Sequence, residues 1–369
     1  MKKKLLIVHR ALAPYRIELF NELYEAFDTR IYFEYPSPLE QQFRKDAIDE
    51  RVKFKSEVLN APKSQLKNWR PQVISIIKDF KPDIILASEF NLITPLLYYA
   101  KALYSHHSTI YVMCDDNEQS ALCEVKYGRG LKKRFLGIVN GVILCDRRAE
   151  KVYSQSFARG SRFYTYPIIQ DDSFFRGKLC DALPLANDLR SKCRPEEKVI
   201  LFVGRLVPEK NVHGLLQTFS KILDKQSDVR LVIVGDGPEK SDLIDMTKQL
   251  GIQPQVSFEG KHEGLPLYAY YAMADLFILP SLKEPFGAVV NEALLSGLPV
   301  ICSKVAGAAS LIDDSNGKTF NPYLPGDMEN TLNEALSSIL LYKNVTLKPS
   351  LMTLLFKEEI QKLISFIGR

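Results

Sequence analysis

Short runs of uninterrupted apolar residues alternate with stretches of helical periodicity along most of this chain, and the alternation starts twice. Leu5 to Val8 is the first run, preceded by Lys2, Lys3 and Lys4. It has the pattern of a strand buried on both faces. From Pro14 onward Ile17, Phe20, Leu23, Tyr24 and Phe27 recur at helical steps, and proline favours the first helical position. Arg30–Tyr35, Asp83–Ala87, Thr109–Cys114 and Gly141–Cys145 read as further strands, with helices over Trp69–Asp79 and Asn91–Tyr104. Strands alternating with helices make βαβ units and a parallel sheet. Between Tyr166 and Glu197 the pattern breaks into Asp-Asp-Ser, Pro-Leu and Arg-Pro-Glu-Glu fragments, which predicts an interdomain linker. It restarts with strands at Val199–Val203, Val229–Val234, Val256–Glu259, Leu276–Pro280 and Pro299–Cys302. Helices are expected from Asn211 and over Ser241–Leu250, Leu267–Ala274 and Ala288–Ser296. An amphipathic tail, Met352–Ile367, sets Leu355, Phe356, Ile360, Leu363, Ile364 and Ile367 on one face. The expectation is an α/β chain with domains at 1–170 and 198–345, a linker at 171–197, and a C-terminal helix within 346–369 that packs back on the first domain.

Composition narrows the function classes. The formal net charge is +5, too mild for a nucleic-acid binder. Residues 1–170 hold 27 basic and 19 acidic side chains, a net of +8, whereas the remainder nets −3. That split points to an anionic partner for the first half only. Cys114, Cys123, Cys145, Cys180, Cys193 and Cys302 form no Cys-x-x-Cys pair, which disfavours a structural metal and suits a reducing compartment. His9 and Arg10 end the N-terminal apolar run too soon for a signal peptide, and no 18-residue apolar run exists. A cytoplasmic protein is expected.

Three segments can carry chemistry. Gly204-Arg205-Leu206-Val207-Pro208-Glu209-Lys210-Asn211 follows a buried strand and precedes a helix that Asn211 is placed to cap. In a parallel sheet, ligands bind beyond the carboxyl ends of the strands, where helix N-termini offer free N–H groups. Gly204 with Arg205 and Lys210 therefore reads either as a diphosphate cradle or as two solvated cations on a loop. Gly235-Asp236-Gly237-Pro238 is a tight strand-to-helix turn and lacks the dinucleotide fingerprint. The sharpest segment runs from Glu284-Pro285-Phe286-Gly287 through Ala288, Val289, Val290 and Asn291 to Glu292. It sets one carboxylate at the strand end and another about two turns along the next helix. A ligand with hydroxyls at both ends and phosphates between satisfies these groups together.

With those residues in view, the second half resembles the retaining nucleotide-sugar glycosyltransferases of family 4, whose fold is GT-B. The resemblance rests on Gly204-Arg205-Leu206 with Lys210-Asn211, on Gly235-Asp236-Gly237-Pro238, and on Glu284 through Glu292. It continues through Ala293-Leu294-Leu295-Ser296-Gly297-Leu298-Pro299-Val300-Ile301 to Asn316-Gly317. It spans about residues 199–322, and reaches the first half through Pro14-Tyr15-Arg16 and the sheet pattern. The resemblance implies two Rossmann-like domains whose parallel sheets face across a cleft. It implies transfer of a sugar from a nucleoside-diphosphate donor to a glycan or lipid-linked glycan acceptor, as in bacterial capsule, O-antigen or exopolysaccharide assembly. Arg205 and Lys210 would hold the diphosphate and Glu292 the ribose hydroxyls. Glu284, with the backbone at Phe286, Gly287, Ala288 and Val289, would hold the sugar and its phosphates. Gly260, Lys261 and Leu265 would line the base pocket. Neither metal nor cofactor is implied, the nucleotide sugar being a co-substrate.

This chain departs from the family at two loops and at the acceptor side. Ala306-Gly307-Ala308-Ala309-Ser310 stands where a Gly-Gly-x-Pro-Glu segment is usual, and Arg10-Ala11-Leu12-Ala13-Pro14 lacks the usual glycine pair. Cys114-Asp115-Asp116-Asn117-Glu118 replaces a His-Asp type ending. Asp115 and Asp116 read either as acceptor contacts or as solvated loop residues. Arg16, and His9 at the end of the first strand, complete the acceptor-side candidates, while His106, His107, His213 and His262 read as surface residues. A sugar-nucleotide epimerase of the same fold and a non-catalytic nucleotide-sugar binder are the alternatives, and a nicotinamide dehydrogenase is disfavoured by the missing fingerprint. Residues 126–138 interleave Lys126, Arg129, Lys132, Lys133 and Arg134 with Tyr127, Leu131, Phe135, Leu136 and Ile138. They read either as a contact with an anionic cytoplasmic membrane leaflet or as a core-facing helix with solvated lysines.

Overall fold

The apolar run behind the N-terminal lysines is the centre of strand β1 (Lys4–His9), with Leu5, Leu6, Ile7 and Val8 all buried. The computed structural model describes residues 1–36, 48, 50–60, 70–127, 136–157, 162–339 and 345–369. They divide into two units, Met1–Ile168 with Phe356–Arg369, and Ile169–Leu355.

In the first unit a 3₁₀ turn, Pro14–Arg16, leads into α1 (Ile17–Ala26) and β2 (Asp28–Phe33). An exposed edge strand β3 (Ser56–Val58), α2 (Gln72–Phe80), β4 (Ile84–Ser88), α3 (Ile93–Tyr104) and β5 (Thr109–Cys114) follow. Then come α4 (Glu118–Tyr127), β6 (Gly141–Leu144), α5 (Arg147–Phe157) and β7 (Arg162–Thr165). The strands are parallel in the order β3-β2-β1-β4-β5-β6-β7. Alternate side chains of such a strand go to opposite faces. Leu6, Val8, Ile110 and Val112 accordingly share one core with Val73 and Ile77 of α2, Leu97 of α3, Ala121 of α4 and Tyr153 of α5.

The second unit begins with α6 (Asp172–Arg190), β8 (Lys198–Val203), a 3₁₀ turn at Pro208–Lys210, α7 (Val212–Leu223) and β9 (Val229–Val234). It continues with α8 (Lys240–Gln249), β10 (Val256–Gly260), α9 (Leu265–Met273), β11 (Leu276–Leu279) and α10 (Ala288–Leu295). β12 (Val300–Ser303), β13 (Gly317–Phe320) and α11 (Asp327–Ser338) complete it. Its strands are again parallel, in the order β10-β9-β8-β11-β12-β13. The strand order therefore reverses between β8 and β11, and a ligand crevice forms at such a switch point. The last helix, α12 (Phe356–Ile367), groups with the first unit and buries Phe356, Ile360, Leu363 and Ile367. Its Phe366 ring lies 5.5 Å from that of Tyr111.

Residues 171–197 are not a bare linker. Asp171 caps α6 by accepting from Phe174 N at 2.9 Å, and Pro184 is accommodated within the helix. Phe175, Leu179, Ala182 and Ala186 form the buried stripe that the Pro and Asp fragments obscured, and Phe175 meets Tyr268 of α9 edge-on at 5.0 Å. Asn211 is not a side-chain cap either: it sits at φ 55° and its Nδ2 donates to the Pro280 carbonyl at 3.1 Å. Sequence reading also passed over β3, β7, β13, α4, α5 and α11. The two edge strands β3 and β7 carry largely exposed or half-buried residues, so no apolar run marks them.

The helix at 172–190 has a direct test in thermal unfolding. Asp171→Ala should lower stability by about 1 kcal/mol through loss of the cap. Gly177→Ala, with nothing within 4 Å of the added methyl group, should raise it by about 0.5–1 kcal/mol. Unchanged melting in both variants would contradict the helix.

Candidate functional site

The carboxyl ends of β8, β9, β10, β11 and β12 share one edge of the second sheet, and the predicted donor residues occupy the loops leaving them. Those loops are bonded to one another. Gly204 N donates to Val234 O at 3.0 Å, Leu206 N to Asp236 O at 2.9 Å, and Gly235 N to Gly260 O at 2.8 Å. A Cβ on Gly235 would lie 1.8 Å from the Gly204 carbonyl oxygen, so only glycine allows this stacking. Glu209 O accepts from Leu282 N at 2.8 Å, joining the loop after β8 to the loop after β11 across the switch point.

Lys210 and Glu284 meet at that junction, ammonium against carboxylate. Glu284 is buried and also accepts from Ser281 Oγ at 3.4 Å. A charge pair largely withdrawn from water holds both side chains in one place, and each would be costly to leave alone. Arg205 is exposed at the mouth of the same loop. Gly287, at φ 95°, turns the chain into α10, and a Cβ there would lie 2.8 Å from Leu279 Cδ2. Phe286 is buried, and Ala288 and Val289 open the helix, whose N-terminus carries the positive end of its dipole. The departing segment Ala306-Gly307-Ala308-Ala309-Ser310 packs beneath this turn, with Ala308 N donating to Phe286 O at 2.8 Å.

Glu292, half-buried on α10, accepts from Gln170 Nε2 and from Tyr271 OH, both at 2.8 Å. The Tyr271 phenol is held far above its usual range by burial first and by Glu292 second, so it remains a donor. Gly260, at φ 79°, ends β10; Lys261 pairs with Glu263 at 2.6 Å, and Leu265, 44% exposed, starts α9. These base-pocket candidates thus lie at the sheet edge, β9 standing between them and β8. Sequence reading missed Gln170 and Tyr271, neither of which lies in a glycine-rich or charged motif, and gave Asn291 no role although it stands within the Glu284–Glu292 segment. It also missed Tyr323, whose hydroxyl donates to Leu282 O at 2.8 Å.

In the first unit the acceptor-side candidates also converge. Arg16, 2% exposed, forms an ion pair with Asp115. Burial, the strongest single influence, works to lower the Arg16 guanidinium, but Asp115 together with Tyr15, Cys145 and Tyr166 holds the group above its ordinary value. His9 Nδ1 bonds the Ala11 carbonyl at 3.0 Å, so the proton is on Nδ1 and Nε2 is the acceptor. Burial, then Arg16, lowers the His9 pKa from 6.5 to about 4. Asp116 accepts from Tyr153 OH at 2.7 Å. Neither aspartate is merely solvated. Two further carboxylates stand at this edge without having been foreseen. Glu34 is buried, bonded by Asn91 Nδ2 at 3.0 Å, and raised by burial. Glu89, at φ 58°, accepts from Asp115 N at 3.2 Å. His106 and His107 are exposed, and His107 lies 3.3 Å from Asp83. No group of three or more His, Cys, Asp or Glu suited to a metal ion occurs among the described residues.

The chain is similar to proteins already known. Residues 188–346 match the model of glycosyl transferases group 1. A GDP-mannose-dependent alpha-mannosyltransferase of Mycolicibacterium smegmatis is 30% identical over 66% of this chain and 61% of its own length. An alpha-monoglucosyldiacylglycerol synthase of Streptococcus pneumoniae is 36% identical over 66% of this chain and 56% of its own. Anabaena Alr3699/HepE, solved in complex with UDP-glucose, superposes with a TM-score of 0.73 over 99% of both chains at 18% identity. The chain resembles the glycosyltransferases of family 4. Its fold is GT-B, with two Rossmann-like α/β units. The chain spans less than two thirds of the length of these two curated relatives.

The depressed His9 pKa has a definite sign in stability. Between 6.5 and about 4 the unfolded chain binds a proton that the folded chain excludes. Stability is therefore lost as pH falls through that window, at up to about 1.4 kcal/mol per pH unit. His9→Gln should flatten the melting-temperature profile there. A profile of unchanged steepness would contradict the buried neutral imidazole.

Proposed function

We propose that this chain is a metal-independent, retaining glycosyltransferase that moves a sugar from a nucleoside-diphosphate donor to a hydroxyl of a glycan acceptor, in cell-surface polysaccharide assembly. The observation that carries the reading is the meeting of Gly204, Arg205, the Lys210–Glu284 pair, the Gly287 turn and Glu292 on one sheet edge. Further support comes from similar proteins, one of them GDP-mannose-dependent and another solved in complex with UDP-glucose.

In this reading the diphosphate lies over the N-terminus of α10, with Arg205 and Lys210 adding positive charge. These groups stabilise the charge that develops on the leaving diphosphate, and their fixed placement needs no reorganisation during reaction. Lys210 and Glu284 hold each other, so the carboxylate that orients the sugar and the cation beside the phosphate keep a constant spacing. The acceptor oxygen bonds to the anomeric carbon as the bond from that carbon to the phosphate oxygen breaks. The acceptor proton passes to the departing phosphate on the same face. His9, Arg16, Asp115 and Asp116 serve the acceptor.

We further propose a lipid-linked acceptor, met at an anionic membrane surface on the cytoplasmic side. Residues 128–135, the basic core of the 126–138 segment, lie outside the described residues. What supports the reading is the outer side of α3 and its lead-in, where Leu92, Tyr98, Tyr99, Leu103 and Tyr104 are exposed. No acidic residue occurs between Glu89 and Asp115. Lys78 and Lys101 lie 5.9 Å from the Tyr104 and Tyr98 rings. Aromatic residues beside lysines suit a lipid headgroup layer. No helix among the described residues is long and apolar enough to cross a membrane.

Thermal stabilisation by UDP-, GDP- and ADP-sugars, followed by acceptor-dependent release of nucleoside diphosphate, tests the activity. Arg205→Ala and Lys210→Ala should each slow turnover on the order of 10²–10³-fold. Glu292→Ala should weaken donor binding more than it slows the bound complex, whereas Glu284→Ala should do the reverse. Wild-type rates in both cation variants at saturating donor would overturn the assignment.

A further inference from the structure

Glu292 is held more firmly than a half-buried glutamate needs to be. Both oxygens accept hydrogen bonds, Oε1 from Gln170 Nε2 and Oε2 from Tyr271 OH, each at 2.8 Å. The donors come from separate stretches of the chain, the segment before α6 and the helix α9. Each is itself locked. Gln170 is 6% exposed, and its backbone N donates to Asn291 Oδ1 at 2.9 Å. Asn291, 1% exposed, donates from Nδ2 to Met352 Sδ at 3.4 Å. Tyr271 is fully buried, with the rings of Phe175 and Phe277 at 6.4 and 6.0 Å. A phenol in such a pocket has a strong need of an acceptor, and the acceptor it takes is Glu292.

Anchoring both oxygens removes rotation about the last side-chain bond and fixes the carboxylate plane. A carboxylate has about four in-plane acceptor directions, and these two donors take one on each oxygen. A vicinal diol donates best to a carboxylate whose plane is already set, because both hydroxyls must align at once. A lone hydroxyl has no such requirement.

We propose that Gln170 and Tyr271 are positioning residues that set the Glu292 carboxylate for the vicinal hydroxyls of a ribose, making the site selective for ribonucleoside over 2′-deoxyribonucleoside diphosphates. The proposal rests on the reading of the second unit as a nucleoside-diphosphate site. It adds the origin of selectivity, two buried donors that touch no ligand themselves.

Titration calorimetry on the full chain with UDP, GDP and ADP, and with their 2′-deoxy counterparts, separates the possibilities. The tightest ribonucleotide should bind the wild type about tenfold or more better than its 2′-deoxy form. Tyr271→Phe, which removes only the hydroxyl, and Gln170→Ala should each weaken the ribonucleotide about three- to tenfold and the deoxynucleotide less than about twofold. In a Glu292→Ala background neither change should alter affinity further, an outcome that a merely structural role does not produce. Equal weakening of both sugars, or persistence of the effect without Glu292, overturns the proposal while the nucleotide site stands. Absence of binding by all six nucleotides to the wild type overturns the site itself, and the proposal with it.

Discussion

Parallel strands deliver every following loop to one edge, and that constraint organises each half of this chain. In the second unit β8, β9, β10, β11 and β12 release their loops side by side. The strand order reverses between β8 and β11, so two of those loops splay apart at the switch point. The structure bridges the gap with backbone hydrogen bonds from Leu282 and Lys283 to Glu209 O, at 2.8 and 3.3 Å, and with the Lys210–Glu284 pair. Polar groups are thereby concentrated where a helix N-terminus already offers unpaired N–H groups. Removing the close contact of Gly235 with Gly204 would push the first two loops apart, and the remainder of the edge rests on their spacing.

Both units manage charge by pairing it. Arg16 with Asp115 in the first unit and Lys210 with Glu284 in the second each set a cation against a carboxylate at the carboxyl edge of a sheet. Such pairs contribute little net stability, because desolvation offsets much of the attraction. Their value is geometric, since a paired side chain is already placed when a ligand arrives. Glu292 is held in addition by two neutral donors, which fix its carboxylate without cancelling its charge themselves.

Much of the fold was legible because strands buried on both faces are short apolar runs, and those runs are conspicuous at Leu5–Val8, Val199–Val203 and Val229–Val234. Illegible elements had divided signals. Strand β3 exposes all of Ser56, Glu57 and Val58, and α6 hides an apolar stripe behind Pro184 and its acidic start. At the site, glycines and charged residues were readable because their chemistry is local: Gly204, Lys210, Glu284 and Glu292 stand in recognisable turns. Gln170 and Tyr271 were not, since each acts through a residue 122 or 21 positions away. The mutual pairing of Arg16 with Asp115 was equally hidden, for it depends on the adjacency of β1, β4 and β5 ends, 99 positions apart in sequence. Asn211 misled in the opposite direction. Its type and place suit a cap, but the left-handed backbone turns its amide toward Pro280.

The central claim is that the carboxyl edge of the second sheet holds a nucleoside diphosphate. Amide hydrogen exchange, with and without a saturating nucleoside diphosphate, addresses it most directly. The account predicts slowed exchange in peptides covering Gly204–Asn211 and Phe286–Glu292, with the opposite end of the same sheet unchanged. Protection confined to other segments, or none with UDP, GDP or ADP, would contradict it.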